Sequence, residues 1–154
     1  MKKYPAVLMF MIIILSQVIQ SQNATPVEKC IPCEKLAELR LPDVKITSAE
    51  QVTTGKPHCK VLGVIGKEIR FEILLPDDWN NDFIMGGGGG FVGSIQNAAR
   101  SSVNQGFATS GTDTGHDGAQ YPGASWALNN MERQVNVGHL AVHRTAEVSK
   151  AIIQ

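Results

Sequence analysis

Apolar and polar residues alternate most regularly in the middle of the chain, and this alternation predicts a β-hairpin. Residues 59–65 are rich in β-branched and aliphatic side chains, and residues 68–75 alternate polar and apolar positions. Gly66-Lys67 separates the two segments, as a tight turn requires. Residues 76–81 are dense in turn formers and end the hairpin, with Trp79 expected to pack against the core.

After this turn the pattern changes to shorter apolar segments. Residues 82–85 predict a short buried strand, and residues 107–111 predict a second one. Between them, residues 94–105 predict a helix that Gly106 would end, because glycine readily adopts the left-handed conformation found after helix ends. Strand, loop, helix and strand in this order form a βαβ unit, whose strands are parallel and whose crossover is right-handed.

The flanking segments complete a predicted α/β fold. Apolar positions favour a short helix within residues 33–41, an extended segment at 44–52 and a long amphipathic helix at 135–154. No strand follows that helix in the sequence, so the predicted sheet would be incomplete and would keep an open apolar edge. We therefore expect the chain to be the N-terminal part of a larger protein.

The beginning of the chain has the pattern of a secretory signal. Two lysines precede an uncharged apolar run over residues 6–15, and the small Ser21 lies where cleavage is expected. The run is shorter than the roughly 20 residues that a membrane span needs, so we expect no stable membrane association after cleavage. These features predict a secreted or periplasmic protein with a signal at 1–21, a polar lead-in at 22–32 and a folded portion at 33–154.

Composition and charge favour one globular domain. The 154 residues are 43% apolar, with 14 basic and 14 acidic side chains and a formal net charge of zero. The basic residues are scattered along the chain, so the sequence offers no basic stripe for nucleic acid or for an anionic membrane.

Export would place the three cysteines in an oxidising compartment, where disulfides persist. Cys30 and Cys33 have the spacing of a C-x-x-C redox or metal pair, but no thioredoxin-like pattern and no second cysteine pair accompanies them. A bridge from one of them to Cys59 is the favoured interpretation, and it leaves one cysteine over.

Residues 86–93, Gly-Gly-Gly-Gly-Gly-Phe-Val-Gly, form the most unusual segment of the chain. Because ordering glycine costs more backbone entropy than ordering any other residue, this run of bare N–H groups indicates a role for the backbone itself, such as anion binding. The spacing Gly88-x-Gly90-x-x-Gly93, with Asp113 twenty residues later, fits the fingerprint of a dinucleotide-binding oxidoreductase. A glycine-rich loop after a strand also fits the oxyanion hole of α/β hydrolases, and export together with the preceding hairpin favours this second hypothesis.

A catalytic nucleophile is hard to find in the sequence. Ser125 lies in a degenerate G-x-S-x-G sequence, but a polar, turn-like segment precedes it instead of a strand. Ser110, Asp113 and His116 have the residue types of a catalytic triad but lie within seven positions, whereas triad members come from separate loops. We expect Asp113 and His116 to order the loop beside the glycines through hydrogen bonds.

His139, His143 and Glu147 recur at four-residue intervals in the last predicted helix and share one face, as metal ligands would. The segment lacks the glutamate of H-E-x-x-H, so packing or capping is favoured over a metal site. An exported binding or structural module without catalysis remains as an alternative for the chain as a whole.

Taken together, these motifs resemble the tannase/feruloyl esterase family of secreted α/β hydrolases. The resemblance covers the chain from about Cys33 to its end. It rests on the order and spacing of CEKL at 33–36, ITSA at 46–49, CKVLG at 59–63, LPDDWN at 75–80, GGGGFVG at 87–93, GFAT at 106–109, DTGH at 113–116 and WAL at 126–128.

The resemblance implies a serine esterase that cleaves small esters of aromatic acids, such as feruloyl or galloyl esters. It implies that the nucleophile, the acid and the histidine lie downstream of this chain, together with a lid and the calcium site often found in that lid. The fragment by itself would then be inactive and would hold no cofactor. The resemblance places the oxyanion-hole amide on Gly90, with Gly89 as the neighbouring alternative, and pairs Cys33 with Cys59, leaving Cys30 unpaired.

Overall fold

The computed structural model describes residues 31–154, which form an α/β fold around one five-stranded sheet. The order across the sheet is β1-β2-β3-β5-β4. The predicted signal at residues 1–21 and Cys30 lie outside the described residues. The strands are β1 (Val44–Val52), β2 (His58–Ile65), β3 (Ile69–Pro76), β4 (Phe83–Met85) and β5 (Ala108–Thr112).

Strand pairing confirms the predicted hairpin and the predicted parallel pair. β1, β2 and β3 pair in antiparallel fashion, and β5 joins β3 antiparallel as well. β4 runs parallel to β5 at the edge of the sheet. Gly66, at φ +60°, supplies the left-handed residue in the turn between β2 and β3.

Helical segments are short except near the end of the chain. 3₁₀ helices span Cys33–Glu38, Arg100–Gln105 and Ser125–Ala127. The last helical region consists of α1 (Met131–Val135), a π-helical segment (Asn136–Leu140) and α2 (Ala141–Ile153). It begins earlier than predicted because the side chain of Asn130 caps it, accepting a hydrogen bond from the N–H of Arg133 at 3.0 Å. None of the described helices is long and apolar enough to cross a membrane.

The predicted helix over residues 94–105 is wrong in its first half, since only residues 100–105 are helical. The N–H of Gln96 donates to the carbonyl of Thr112 at 3.3 Å, which holds this segment against the end of β5. Gly111 leaves room for it, because a Cβ there would collide with the carbonyl of Gln96. These contacts with the sheet replace helical hydrogen bonds and outweigh local helix propensity. Gly106 ends the remaining helix at φ +87°, as predicted.

The turn at 76–81 links the antiparallel part of the sheet to the parallel pair. The N–H of Asn80 donates to the carbonyl of Gly106 at 2.9 Å. Trp79, expected against the core, is half-buried, and its indole N–H donates to the carbonyl of Asp82 at 2.9 Å. The turn is therefore fixed to the start of β4 and to the segment before β5.

The hydrophobic core lies between one face of the hairpin and α2. Val61, Phe71 and Ile73 are fully buried on this face, and Val148 and Ile152 of α2 belong to the same cluster. Burial of a side chain of this size stabilises the fold by roughly 1.5–3 kcal/mol. The alternation seen in the sequence thus separates a core face from a second face that carries polar side chains.

A disulfide joins Cys33 to Cys59 and ties the first 3₁₀ helix to β2. Both cysteines are buried, and they share the core cluster with Leu36. This is the pair that the resemblance implies. The bridge anchors the N-terminal end of the described chain to the start of β2, at the open end of the hairpin.

Replacement of Gly63 by alanine is expected to destabilise the fold. A Cβ at this position in β2 would lie 2.6 Å from Cε1 of Phe71 and 2.9 Å from the carbonyl oxygen of Lys45. Overpacking of this kind costs roughly 1–3 kcal/mol in the free energy of unfolding, which urea denaturation measures. Gly138→Ala is the matched control, because a Cβ at Gly138 meets no atom within 4 Å and alanine favours a helix. Equal destabilisation by both changes would contradict the packing argument.

Removal of the disulfide by Cys33→Ala together with Cys59→Ala should lower the free energy of unfolding by about 3 kcal/mol in the chain-entropy model. The reason is that the bridge restricts the unfolded chain across a sequence separation of 26 residues. Urea denaturation of the oxidised wild type and of the double variant measures the difference, and a reducing agent should bring the wild type close to the variant. Identical midpoints for the oxidised wild type and the variant would argue against a stabilising bridge.

Candidate active site

The glycine loop (residues 86–93) leaves the C-terminal end of β4 beside β5. The N–H of Gly86 donates to the carbonyl of Ser110 at 2.8 Å, which continues the pairing of the two strands. A Cβ on Gly86 would collide with the backbone nitrogens of Ala98 and Ala99. The first glycine of the loop is therefore required for close backbone packing.

The other end of the loop is fixed by Gly93, which is buried and has φ +75°. Its N–H donates to the carbonyl of Asp113 at 3.0 Å, and its carbonyl accepts from the N–H of Gly118 at 2.8 Å. A Cβ on Gly93 would lie 2.7 Å from the Cα of Gly118. Backbone contacts thus hold the loop at both ends.

Between these ends the loop is open to solvent. Gly89 and Gly90 are exposed, and a Cβ on either would meet no atom within 4 Å. The N–H of Gly89 donates to the side-chain oxygen of Gln96 at 3.3 Å. The N–H of Gly90, which has φ +62°, donates to no residue in the described part of the chain. Gly90 therefore presents an unengaged backbone donor in a loop whose ends cannot move freely.

The side chain of Asp113, at the end of β5, is fully buried and accepts three hydrogen bonds. The donors are the backbone N–H of Arg70 at 3.0 Å, Nε of Arg70 at 2.5 Å and the backbone N–H of Gly115 at 2.8 Å. Burial raises the pKa of this carboxyl above its ordinary value, although the same donors act in the opposite direction. The three hydrogen bonds hold a turn in which Thr114 and Gly115 have positive φ angles.

His116 links this turn to the glycine loop. Its ring is buried, and Nε2 lies 3.2 Å from the carbonyl oxygen of Phe91. Because a carbonyl oxygen only accepts hydrogen bonds, Nε2 carries the proton in this contact. The imidazole also stacks on the indole of Trp126, with 4.9 Å between ring centroids. The residue that follows Gly90 is thus held through its carbonyl group.

An open groove of 630 Å³ borders the loop. Its lining includes Gly90 and Phe91 from the loop and Arg70, Asp117 and Tyr121 from the surrounding segments. Nη2 of Arg70 lies 3.4 Å from Oδ2 of Asp117, so the guanidinium contacts this carboxylate as well as that of Asp113. The groove therefore combines an unengaged amide, two aromatic side chains and a balanced ion pair.

The two serines singled out in the sequence are not placed for nucleophilic attack at this groove. Ser110 is fully buried within β5, where an ester cannot reach it. Ser125 is exposed, but it begins a 3₁₀ turn and its hydroxyl donates to the carbonyl of Pro122 at 2.9 Å. The strand-to-helix elbow that exposes a nucleophilic serine in α/β hydrolases does not surround either residue.

The histidines of the last helix form a surface cluster. His139 stacks on His143 with 5.2 Å between centroids, and Nε2 of His143 lies 3.2 Å from Oε1 of Glu147. Glu147 also accepts a hydrogen bond from Arg144 at 2.9 Å. Within residues 31–154, no group of three or more His, Cys, Asp or Glu side chains is arranged to hold a metal ion.

Two features of the loop disagree with a dinucleotide fingerprint. Residues 94–99 are not helical, so no helix N-terminus directly follows the glycines to bind a pyrophosphate. Asp113 is fully buried and bonded to Arg70, so its carboxylate is not available to a ribose hydroxyl.

Sequence reasoning missed Arg70, Tyr121 and Trp126 as parts of the site. Arg70 occupies a polar position of the alternating strand β3, where a solvated side chain is the ordinary expectation. Tyr121 and Trp126 belong to the irregular segment 116–130, which has no period from which the direction of a side chain can be predicted. The available signal was the presence of two large aromatic residues in an otherwise polar loop.

Comparison with known proteins shows the family to which the chain is similar. Residues 52–154 match the family model described as tannase and feruloyl esterase. An uncharacterized esterase of Agrobacterium fabrum is 28% identical over 145 residues, which cover 80% of this chain and 26% of that protein. Feruloyl esterase B of Aspergillus niger is 36% identical over 84 residues, which cover 54% of this chain and 16% of that protein. The chain thus spans about a quarter or less of the length of these relatives.

A solved structure supports the same assignment at the level of the fold. The crystal structure of feruloyl esterase B from Aspergillus oryzae superposes with a TM-score of 0.66 at 23% sequence identity, covering 78% of this chain and 28% of that chain. The family model itself matches more than half of the chain. The chain therefore belongs to the tannase and feruloyl esterase family.

Proposed function

We propose that this chain forms the oxyanion-binding part of a carboxylic ester hydrolase that uses a serine nucleophile. The observation that carries the proposal is the N–H of Gly90, which borders an open groove and donates to no residue within 31–154. A donor held in place before the substrate arrives stabilises the charge that develops on the carbonyl oxygen during attack. Membership of the tannase and feruloyl esterase family supports ester hydrolysis as the chemistry.

The proposed reaction passes through an acyl-enzyme. A general base takes the proton of a serine hydroxyl while the serine oxygen attacks the carbonyl carbon of the ester. The carbonyl oxygen takes the negative charge and accepts a hydrogen bond from Gly90. Collapse of this intermediate breaks the bond to the alcohol, which leaves with the proton held by the base, and water then releases the acid in a second cycle of the same kind. We assign the nucleophile, the acid and the base to residues outside this chain on the strength of the family resemblance, and the placement of Ser110 and Ser125 agrees with this. The 154 residues alone would then be inactive.

The role proposed for Asp113 and His116 is to order the loop around Gly90. The carbonyl of Asp113 holds the N–H of Gly93, and Nε2 of His116 contacts the carbonyl of Phe91. Both contacts act on the C-terminal side of Gly90. Gly89 is the weaker candidate for the oxyanion donor, because its N–H already donates to Gln96.

The substrate that we propose is a small ester of an aromatic acid, such as a feruloyl or galloyl ester. The family and the relative from Aspergillus niger support this class of substrate. The signal-like pattern of the first 21 residues supports a secreted or periplasmic location.

The complete polypeptide encoded by the gene should hydrolyse methyl ferulate or methyl gallate, measured by release of the free acid on liquid chromatography. Residues 1–154 produced alone serve as the control and should release none. A titration of NADH should leave cofactor fluorescence unchanged, whereas quenching would favour the dinucleotide alternative. Failure of the complete polypeptide to cleave any aromatic ester would contradict the proposed function.

The change Gly90→Val should lower kcat by about 100-fold in the complete polypeptide, the usual effect of losing one oxyanion donor. A β-branched residue does not readily adopt φ +62°, so the peptide plane and its N–H would move. Gly87→Val is the matched control, because its Cβ also meets open space, its φ is not positive and Gly87 is not a candidate for the oxyanion donor. Thermal denaturation establishes that both variants are folded. An unchanged kcat in folded Gly90→Val would exclude the oxyanion role, and equal losses in both variants would assign the effect to crowding of the loop.

A further inference from the structure

We propose that Phe91 and Tyr121 form a binding site for the aromatic ring of the substrate beside the glycine loop. This inference rests on the proposed function and deepens it, because it names the side chains that would select an aromatic group. Both residues line the groove that Gly90 borders. A ring held there would lie close to the amide that faces the developing oxyanion.

The backbone of Phe91 has a conformation that aromatic residues rarely adopt. Its φ is +57°, in the left-handed region where the Cβ atom of an L-residue crowds the backbone. For a bulky side chain such an angle is a genuine outlier, and strain of this kind concentrates at functional sites. The contact between the Phe91 carbonyl and His116 helps to maintain it.

Burial does not explain why a phenylalanine occupies this strained position. The side chain is 58% exposed, so the folded state gains little of the hydrophobic stabilisation that the ring could provide. A smaller or polar residue would satisfy the same backbone contacts. Packing within residues 31–154 therefore does not account for the ring, whereas its place in the groove beside Gly90 suits contact with a ligand.

Trp126 orients the Phe91 ring without covering it. The two ring centroids lie 6.0 Å apart at an interplanar angle of 57°, within the tilted geometry that aromatic pairs prefer. Trp126 is itself 6% exposed and stacked on His116, so it forms a fixed support. The rest of the Phe91 surface remains open to solvent and to a planar ligand.

Tyr121 supplies a second ring, which the guanidinium of Arg133 holds in place. The guanidinium of Arg133 lies over the ring, with its central carbon 3.8 Å from the centroid. Arg133 donates hydrogen bonds of 2.9 Å from Nε and from Nη2 to the carboxylate of Glu68. Because contacts with Trp126 and Arg133 already orient these two side chains, a planar group would bind against them with little further ordering of the protein.

The experiment compares an aromatic with an aliphatic ester in the complete polypeptide. Phe91→Leu keeps an apolar side chain but removes the ring, and it should raise KM for methyl ferulate about 5- to 10-fold, the range expected for a lost aromatic pair. KM for methyl butyrate should stay close to the wild-type value. Tyr121→Leu should likewise raise KM for methyl ferulate and leave KM for methyl butyrate close to the wild-type value. Phe91→Tyr, which keeps an aromatic ring, should leave KM for methyl ferulate close to the wild-type value.

Leu128→Ala is the control, because Leu128 is 75% exposed and lies outside the lining of the groove. It should change KM for neither ester. Equal changes in KM for the aromatic and the aliphatic ester in Phe91→Leu, or no change in either, would overturn the proposal. A general disturbance of the loop would act on both esters alike.

A binding measurement separates this inference from the proposed function. Ferulamide, which has an amide in place of the ester, should bind the wild type more tightly than butyramide in isothermal titration calorimetry. Phe91→Leu should lower the affinity for ferulamide about 5- to 10-fold and leave the affinity for butyramide unchanged. Selective binding of ferulamide without turnover of any ester would contradict the proposed esterase activity and support the proposed aromatic binding site. Equal binding of the two amides by the wild type would refute the aromatic site, whatever the esterase activity.

Discussion

The contacts of Asp113 hold together three segments that are far apart in the sequence. Its carboxylate accepts from Arg70 in β3 and from Gly115 in the following turn, and its carbonyl accepts from Gly93 in the glycine loop. A buried N–H group without an acceptor costs about 1–3 kcal/mol, so each of these contacts constrains the position of its partner. The position of the glycine loop therefore depends on the end of β5 as much as on the glycines themselves.

The electrostatics of the groove favour a neutral substrate over a permanent anion. Within residues 31–154, the charged side chains that line the groove are Arg70 and Asp117, and they contact each other. Arg70 also donates to the buried carboxylate of Asp113. A phosphate group would meet no excess of positive charge there. An ester carries no charge until attack, and the negative charge that then develops is best matched by a backbone dipole at short range.

Local patterns predicted the hairpin and the glycine loop, because alternation along 59–75 and five consecutive glycines are properties of neighbouring residues. The helix proposed for residues 94–105 failed because the contact between Gln96 and β5 depends on Gly111, which is distant in sequence. Tyr121 and Trp126 could not be assigned to the site for the same reason. Side chains in an irregular segment take their directions from tertiary contacts, which no periodic pattern records.

The π-helical segment between α1 and α2 bears on how this chain should be aligned with its relatives. A π turn carries one more residue than an α turn, so the residues beyond it are rotated by about 100° relative to a continuous α-helix. Asn136, at its start, packs closely against Gly115, while Val148 and Ile152 beyond it reach the core. In its geometry the segment is equivalent to one extra residue accommodated inside a helix. A single-residue gap against a relative with an uninterrupted α-helix therefore belongs at Asn136–Leu140, not in the loop before it.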